Sequence, residues 1–448
     1  MKKNLTVTTF KLYFFLFILA LFVSSNATAQ NPLINDQFTA DPSARVFGGE
    51  VYVYPSHDIN CGTNWFCMKD YHVFSSENLV DWKDHGVIVS QDEVPWVNTN
   101  ANAMWAPDAI ERNGTYYFYF PAIADSSTGF KGRKIGVATS KTPYGPFTPQ
   151  PEPIKNVNGI DPNVFIDNDG QAYLYWAGGN LYVAKLKENM LELASEPRVI
   201  DNLPDKGLKE GPYMFERKGH YYLTYPHVAH KTERLEYAMS DSPMGPFSVT
   251  GVIMDESPEC WTNHQSVIKY KGQWYLFYHH NDYSPDFDKN RSIRADSLFF
   301  NPDGTIQKVT PTLRGVGLTE AGRKIQIDRY SQISDEGVSI AFLDTSNTFK
   351  GWKVIFDNQN DWIRYNAVDF GKKKFNTVSV KALSSTGSTL EIHLDNPKGP
   401  VVARVNIPEA EVWNIVKVPV SGIEPGVHNL AIVSNANKQA EVDWIRFE

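Results

Sequence analysis

A short pattern, Gly-x-x-Tyr, recurs five times in the first two thirds of the chain and constrains its fold more than any other feature. The five copies stand 65, 56, 49 and 53 residues apart, and their glycines are Gly49, Gly114, Gly170, Gly219 and Gly272. Turn-forming residues and alternating aromatic runs surround them, which indicates two strands joined by a tight turn. The spacing is that of a four-stranded propeller blade. We therefore predict an all-β chain in which residues 30–318 form a five-bladed β-propeller; the alternative is a β-sandwich or mixed fold with coincidental tyrosines.

The first 29 residues have the composition of an export signal. Lysines follow the initial methionine, residues 12–23 are apolar, and the small-x-small sequence Ala27-Thr28-Ala29 ends the segment. The apolar run is shorter than the roughly 20 residues that span a bilayer. We predict a cleaved signal peptide over residues 1–29, without a lipid anchor because no cysteine stands beside the cleavage site, and a secreted or periplasmic protein. The alternative is an uncleaved membrane anchor.

Composition narrows the class of partner. The net charge is −8 and no run of more than three Lys or Arg residues is present, which argues against a nucleic-acid partner. Aromatic residues make up 13% of the chain, and exposed aromatic rings can stack on sugars.

Of three cysteines, Cys61 and Cys67 flank one short loop and could form a disulfide in an oxidising compartment, which would leave Cys260 unpaired. The cysteine and histidine spacings of a catalytic zinc site do not occur.

The repeat also places a set of chemically useful side chains. Counting back eight or nine residues from each repeat glycine reaches the start of a blade's first strand, where the residues are Asp41, Trp105, Asp161, Glu210 and His264. Innermost propeller strands begin around the central channel, so we expect these side chains to converge. Three acids in one cavity suit glycoside hydrolysis: one accepts a proton from water, one protonates the leaving oxygen, and a third separates the pKa values. The alternative is that these acids only initiate strands.

The segments around these positions resemble the successive blade motifs of glycoside hydrolase family 43. They are Ala40-Asp41-Pro42, Trp105-Ala106-Pro107-Asp108, Gly159-Ile160-Asp161-Pro162, Glu210-Gly211-Pro212 and His264-Gln265-Ser266-Val267. The resemblance covers about residues 31–315 and implies a five-bladed propeller that hydrolyses xylan or arabinan fragments with inversion.

The resemblance also implies a role for each matching residue. These roles are general base for Asp41, general acid for Glu210, orientation and pKa tuning of Glu210 for Asp161, axial binding of calcium or another cation through waters for His264, sugar contact for Arg291, and a stacking wall for Trp105. Two alternatives stay open: His264 as a hydrogen-bonded packing residue, and Arg291 as the partner of a surface carboxylate.

The predicted activity is exo-acting, inverting release of β-xylosyl and/or α-L-arabinofuranosyl units from plant hemicellulose or pectin-derived oligosaccharides. An inverting pair needs about 6.5 to 9.5 Å between its carboxyls, which we expect between Asp41 and Glu210. Residues 61–67 and 90–102 are long enough to wall in a single-sugar pocket. The alternatives are a non-catalytic glycan-binding propeller and a related propeller glycosidase acting on galactosyl-type residues.

Residues 325–448 resemble carbohydrate-binding module family 6, a β-sandwich jelly roll. The resemblance rests on segments such as Asp361-Trp362-Ile363-Arg364-Tyr365 and Val442-Asp443-Trp444-Ile445, and it implies Asp328 and Asp443 as possible ligands of a structural calcium. The family's cleft differs here, because Trp413 follows Glu409-Ala410-Glu411-Val412 and Glu441 replaces an asparagine. We expect this domain to pack on the propeller and to bind sugar weakly or not at all.

Overall fold

The computed structural model describes residues 30–448, so the predicted signal peptide over residues 1–29 lies outside the described part. Five antiparallel sheets follow one another along residues 40–298, and the all-β propeller prediction is confirmed. Blade 1 contains β1 (Ala40–Phe47), β2 (Glu50–Ser56), β3 (Asp70–Ser76) and β4 (Lys83–Ser90); blade 2 contains β5 (Asp108–Arg112), β6 (Thr115–Ile123), β7 (Arg133–Ser140) and β8 (Thr148–Pro149). Blade 3 contains β9 (Ile160–Ile166), β10 (Ala172–Ala177), β11 (Leu181–Lys185) and β12 (Arg198–Val199); blade 4 contains β13 (Tyr213–Arg217), β14 (His220–Val228), β15 (Glu233–Ser240) and β16 (Ser248–Met254). Blade 5 contains β17 (Ser266–Tyr270), β18 (Gln273–His280) and β19 (Ser292–Leu298).

The repeat glycines lie in the turns between the first and second strands of the blades. Their φ angles run from +71° to +89°, a conformation that costs an L-residue about 1–2 kcal/mol but is open to glycine. A Cβ atom at any of the five would meet nothing within 4 Å. Backbone conformation, not lack of space, therefore accounts for glycine at each turn.

Residues 31–39 complete blade 5 and close the propeller. The backbone N–H of Leu33 donates to the Ile293 carbonyl (2.9 Å), and that of Thr39 donates to the Arg291 carbonyl (2.9 Å). The beginning of the described chain thus pairs alongside β19, near the end of the propeller sequence. Ring closure covers a sheet edge that would otherwise be unpaired.

Hydrogen bonds join the inner strands of neighbouring blades in a closed ring. The five links are Ser266 Oγ to Pro42 O (2.6 Å), Ser43 Oγ to Asp108 Oδ1 (2.5 Å), Val164 N to Asp108 Oδ2 (2.6 Å), Met214 N to Asn163 Oδ1 (2.9 Å) and Gln265 Nε2 to Gly211 O (3.0 Å). Asp108, which belongs to one of the blade motifs, is therefore a structural acceptor in the ring. The ring fixes the positions at which the first strands begin.

The rest of the chain forms a two-sheet sandwich. Its strands are β20 (Thr319–Glu320), β21 (Ile325–Gln326), β22 (Gln332–Ile333), β23 (Val338–Phe342), β24 (Trp352–Phe356), β25 (Trp362–Asp369), β26 (Thr377–Leu383), β27 (Ser388–Leu394), β28 (Val401–Ile407), β29 (Asn414–Pro419), β30 (Val427–Ser434) and β31 (Ala440–Phe447). One sheet has the order β20-β25-β30-β27-β28 with β22 beside β25, and the other has β23-β24-β31-β26-β29 with β21 beside β31. An apolar core fills the sandwich. Strand β20 lies between the two domain ranges predicted from sequence.

Aromatic and arginine side chains join the sandwich to the propeller. The ring of Tyr283 stacks on that of Trp352 at 5.1 Å, and the Arg329 guanidinium lies 4.3 Å from the Trp352 ring centre. Arg329 also donates to the Asn31 carbonyl and to the Tyr283 hydroxyl (3.0 Å). The sandwich therefore packs on the propeller where the two ends of the propeller sequence meet. Three short 3-10 helices, Gln91–Glu93, Ser126–Thr128 and Thr348–Lys350, complete the secondary structure of residues 30–448, and none of the helices described there is long and apolar enough to cross a membrane.

Candidate active site

A cavity of about 290 Å³ opens where the first strands of the five blades begin. All six active-site residues predicted from the propeller sequence line it, namely Asp41, Trp105, Asp161, Glu210, His264 and Arg291. Further lining residues are Trp65, Phe66 and Met68 from the β2–β3 connection, and Trp261, Thr262 and Asn263 from the segment before β17. Counting back from the repeat glycines therefore identified residues from five distant segments that line one cavity.

The carboxyl group of Asp41 is held in its ionised form. Burial opposes ionisation, but the charge of Arg291 and the hydrogen bond from the Ser56 hydroxyl bring the pKa of Asp41 down to about 2. Ser56 donates to Asp41 Oδ2 (2.6 Å), while Arg291 donates to Oδ1 (2.7 Å) and Oδ2 (3.2 Å). Asp41 can therefore accept a proton over the whole physiological pH range.

Arg291 joins two buried carboxylates. Besides Asp41, it binds Asp58 through Nε (2.9 Å) and Nη2 (2.9 Å), and only 3% of its surface is exposed. Both carboxylates are buried, in contrast to the surface partner considered as an alternative. Because the planar guanidinium contacts both acids, it fixes the orientation of Asp41.

Backbone contacts of His279 define its protonation state. Its Nδ1 accepts from the Asp41 N–H (3.1 Å), so Nε2 carries the proton and donates to the Thr262 carbonyl (3.1 Å). Burial lowers the pKa of His279 well below its usual value, so the ring is neutral. His279 thus supports the backbone at Asp41 without a proton to exchange there.

Glu210 is half-buried beside two buried carboxyls, those of Asp161 and Glu233. Burial raises the pKa of Glu210, and the charge of Asp41 adds to the rise, against the lowering effects of a hydrogen bond from Glu233 and of Arg133 and Arg291. A hydrogen bond between two carboxyls requires that one of them hold a proton. Here Glu233 is the donor, because burial and the neighbouring Glu210 raise the pKa of Glu233 well above its ordinary value. Glu233 is 1% exposed and was not found from sequence, because it begins β15, the third strand of blade 4.

Asp161 acts on Glu210 through the backbone. Its Oδ2 accepts from the N–H of Gly211 (2.9 Å), the residue after Glu210. Burial and the neighbouring Glu210 raise the pKa of Asp161 well above its ordinary value. Gly211 has φ +53°, and a Cβ atom there would stand 2.9 Å from His264 Nδ1 and from Pro226. Glycine is therefore required next to Glu210.

Aromatic rings form the walls of the cavity. Trp105 carries the Arg133 guanidinium 5.3 Å from its ring centre, and its carbonyl accepts from the Tyr71 hydroxyl (2.6 Å). Trp65 and Trp261 lie 6.5 Å apart, and Trp65 is 55% exposed. Such rings suit the apolar faces of a sugar.

The loop predicted to hold one wall is closed by a disulfide between Cys61 and Cys67, while Cys260 is a buried free thiol. Among the described lining residues none comes from residues 90–102, so that second wall was assigned wrongly. Instead the Asn102 carbonyl accepts from the Met68 N–H (2.9 Å), which supports the lining segment from behind.

Comparisons with known proteins agree with this arrangement. Residues 29–306 match the model of glycosyl hydrolases family 43, and residues 331–448 match that of carbohydrate binding module (family 6). The chain belongs to glycosyl hydrolase family 43. It is a glycoside hydrolase, and the sequence resemblance is confirmed for both domains.

Three similar family 43 proteins differ in how much of the chain they cover. A xylosidase/arabinosidase 43A from Humicola insolens is 37% identical and covers 62% of this chain and 99% of its own length. An arabinoxylan arabinofuranohydrolase from Bacillus subtilis (strain 168) is 30% identical and covers 90% of this chain and 88% of its own. The crystal structure of a β-xylosidase/α-arabinofuranosidase from a compost microbial metagenome, in complex with xylotriose and in a calcium-free form, has a TM-score of 0.58 at 35% identity and covers 63% of this chain and 98% of that chain.

His264 meets one requirement of the predicted cation ligand, namely a neutral imidazole that lines the cavity. Its imidazole lines the cavity, and burial lowers its pKa, so the ring is in the neutral form that binds metals. Among residues 30–448, however, it does not belong to a cluster of three or more His, Cys, Asp or Glu side chains with closely spaced donor atoms. Waters would therefore have to supply most ligands of a cation there.

The two acids predicted to bind calcium in the sandwich differ in their surroundings. Asp328 Oδ1 is buried without a hydrogen-bond partner, and burial raises the pKa of Asp328 to about 7. Such an oxygen suits a cation ligand. Both acids also have a cationic neighbour: Asp328 Oδ2 lies 3.0 Å from Arg329 Nε, and Asp443 Oδ2 accepts from the Lys381 ammonium (2.7 Å). Tyr330 packs against the apolar core. The ammonium already supplies positive charge at Asp443.

Proposed function

We propose that this protein is an exo-acting, inverting glycosidase in which Asp41 is the general base and Glu210 the general acid. One observation carries the assignment: a single cavity holds a carboxyl kept ionised and another whose pKa is raised. Inverting hydrolysis needs this division of roles. The alternative of a glycan-binding propeller without activity offers no reason for such opposed environments.

Each step assigns a proton to a named atom. A carboxylate oxygen of Asp41 takes a proton from the attacking water, while the Glu210 carboxyl gives its proton to the departing glycosidic oxygen. Asp161 positions Glu210 through the Gly211 N–H, and Arg291 keeps Asp41 oriented. We propose that Arg291 and Trp105 also contact the sugar, and that the carboxyls of Asp41 and Glu210 stand about 6.5 to 9.5 Å apart.

We propose terminal β-xylosyl and α-L-arabinofuranosyl units as the groups released, from oligosaccharides of hemicellulose. The Humicola insolens relative, which covers 62% of this chain, is named for both sugars, whereas the Bacillus subtilis relative, which covers 90%, is named as an arabinoxylan arabinofuranohydrolase. Product analysis on nitrophenyl β-xyloside, nitrophenyl α-L-arabinofuranoside and polymeric arabinan tests this. We expect monosaccharide products; a ladder of oligosaccharides without monomer would exclude the exo mode.

Leaving-group dependence separates the two catalytic roles. In Glu210→Gln, kcat/KM on xylobiose falls by about 10²–10⁴-fold and much less on dinitrophenyl xyloside, whose leaving group departs without a proton. In the matched variant Asp41→Asn, both substrates lose activity alike, because water must be activated for each. Equal losses on both substrates in Glu210→Gln would contradict its role as the acid.

The C-terminal domain is proposed as a structural partner that binds sugar weakly. Glu441, at the position where the family cleft has an asparagine, is held by the Lys353 ammonium (2.7 Å). Titrating the inactive Glu210→Gln variant with xylo- and arabino-oligosaccharides measures this in the full chain. We expect one binding site per chain; a second site of micromolar affinity would assign glycan binding to the sandwich.

We also propose that calcium is the cation at His264 and that Asp328 and Asp443 are ligands of a second calcium ion. We further propose that the protein is exported from the cytoplasm. The calcium-free form named for the compost enzyme supports calcium binding in a similar protein. Metal analysis of the purified protein tests the first proposal, and N-terminal sequencing of the exported protein tests cleavage near residue 29.

A further inference from the structure

A second cluster of metal-binding side chains lies in blade 1, apart from the six predicted active-site residues. His57 follows β2 directly, Asp70 begins β3, and His72 is two residues further along β3. Because alternate strand residues point to the same face, Asp70 and His72 lie side by side. His57 Nδ1 is 2.6 Å from Asp70 Oδ1, and the two imidazole centres are 5.0 Å apart.

The donor atoms of these three side chains converge. One ligand atom from each of His57, Asp70 and His72 lies within 4.8 Å of the other two. A tetrahedral ion with ligands at about 2.0–2.2 Å needs donor separations of about 3.3–3.6 Å, which small side-chain rotations can supply. No other such cluster occurs in the part of the chain that the structure describes.

Two imidazoles and a carboxylate favour a borderline divalent ion over calcium. Zinc prefers nitrogen ligands with one carboxylate, whereas calcium takes six to eight oxygens. Asp84 lies behind the cluster, with both carboxylate oxygens 3.0 Å from His72 Nδ1. It can orient that ring as carboxylates orient metal-bound histidines. Asp70 and Asp84 together carry two negative charges, which a divalent ion would balance.

The cluster closes the base of a loop that reaches the active site. Residues 57–69 connect β2 to β3, are crosslinked by the Cys61–Cys67 disulfide, and place Trp65 and Phe66 on the cavity. Asp58, adjacent to His57, binds Arg291. We propose that His57, Asp70 and His72 bind a zinc-class divalent ion that fastens this loop to blade 1.

Calorimetric titration of the metal-stripped full-length protein with zinc chloride tests the proposal. We expect wild type to bind one zinc more than His57→Gln or His72→Gln, or to bind it at least tenfold more tightly than either. His220→Gln is the matched control: His220 Nδ1 lies 3.1 Å from Asp241 Oδ1, an isolated pair in blade 4 without a second imidazole. Its zinc binding is expected to equal that of wild type, and a tenfold excess of calcium is expected not to displace the zinc.

Hydrogen exchange supplies a readout that does not depend on activity. Zinc is expected to slow amide exchange in residues 57–69 of wild type and of His220→Gln, but not of His57→Gln. Circular dichroism verifies that each variant is folded, and Asp70→Asn replaces any histidine variant that is not. Equal zinc stoichiometry and affinity in wild type and the cluster variants, or unchanged exchange in residues 57–69, would overturn the proposal.

Discussion

At the scale of single residues, Asp41 and Asp161 share an uncommon backbone conformation. Their φ angles are +48° and +56°, and the strand register shifts at each, between Ala40 and Ser43 in β1 and opposite Tyr175 and Ala177 in β10. Positive φ at a residue other than glycine and β-bulges both concentrate at functional sites, where they redirect a side chain. The two Asp-Pro pairs are visible in the sequence, but this conformation is not.

The Ser56 hydroxyl offers a way to change the pKa of Asp41 without removing a charge. Ser56→Ala deletes the donor to Oδ2 and so destabilises the carboxylate, which raises the pKa of Asp41. Since a general base must be ionised, the acidic limb of the kcat/KM profile moves to higher pH, by about 0.5 to 1 unit for a hydrogen bond of about 1 kcal/mol.

The pH dependence of kcat/KM on nitrophenyl xyloside measures the shift. Ser43→Ala is the control, because this buried serine of the neighbouring strand β1 donates to Asp108 (2.5 Å) and not to Asp41. Its acidic limb is expected to match that of wild type. If Ser56→Ala also leaves the limb in place, Asp41 does not govern it.

Three residues that shape the site were not identified as such from the sequence: Asp58, Glu233 and His279. They lie after the second strand of blade 1, at the start of the third strand of blade 4 and near the end of the second strand of blade 5. The repeat indicated only where first strands begin. Turn and strand lengths differ between blades, so spacing from the repeat glycine does not locate residues that approach the cavity from other strands.

At the scale of elements, the hairpin turns were predictable because their chemistry is local. Each repeat glycine takes a φ that other residues avoid, and the second strand follows at once. The loops of the cavity were less predictable. Residues 61–67 and 90–102 were comparable candidates for a wall, and only packing against Met68 decides that the second loop lies behind the first.

The disulfide loop provides the prediction at this scale. The double variant Cys61→Ser/Cys67→Ser frees the segment that carries Trp65 and Phe66, and a crosslink over so short a loop stabilises by about 2 kcal/mol in the chain-entropy description. We expect KM to rise several-fold with kcat within about twofold, because the acids themselves keep their contacts.

Steady-state kinetics with and without a thiol reductant provides the control. Reductant should raise the KM of wild type toward that of the double variant and should leave the variant unchanged. A fall in kcat with unchanged KM would instead indicate that the loop supports the acids and not the sugar.

At the scale of the whole molecule, the sequence predicted two domains but not how the ends of the propeller are joined. Residues 31–39 have no repeat pattern, and their place beside β19 depends on pairing partners more than 250 positions away. Arg329 of the sandwich then binds the carbonyl of Asn31. The second domain therefore covers the point where the propeller ring closes.

This contact predicts that the domains unfold together. Trp352 is 7% exposed, stacks on Tyr283 of the propeller and lies under Arg329. Trp352→Ala removes the shared surface at a cost of about 3–5 kcal/mol, so we expect a lower Tm and separate transitions for the two domains in place of one. Differential scanning calorimetry measures both.

Trp413→Ala is the matched control, because this half-buried tryptophan of the same domain contacts Lys381 (5.4 Å) within the sandwich. If both variants melt alike, the interface does not couple the domains; if only Trp352→Ala splits the transition, ring closure and the sandwich form one cooperative unit.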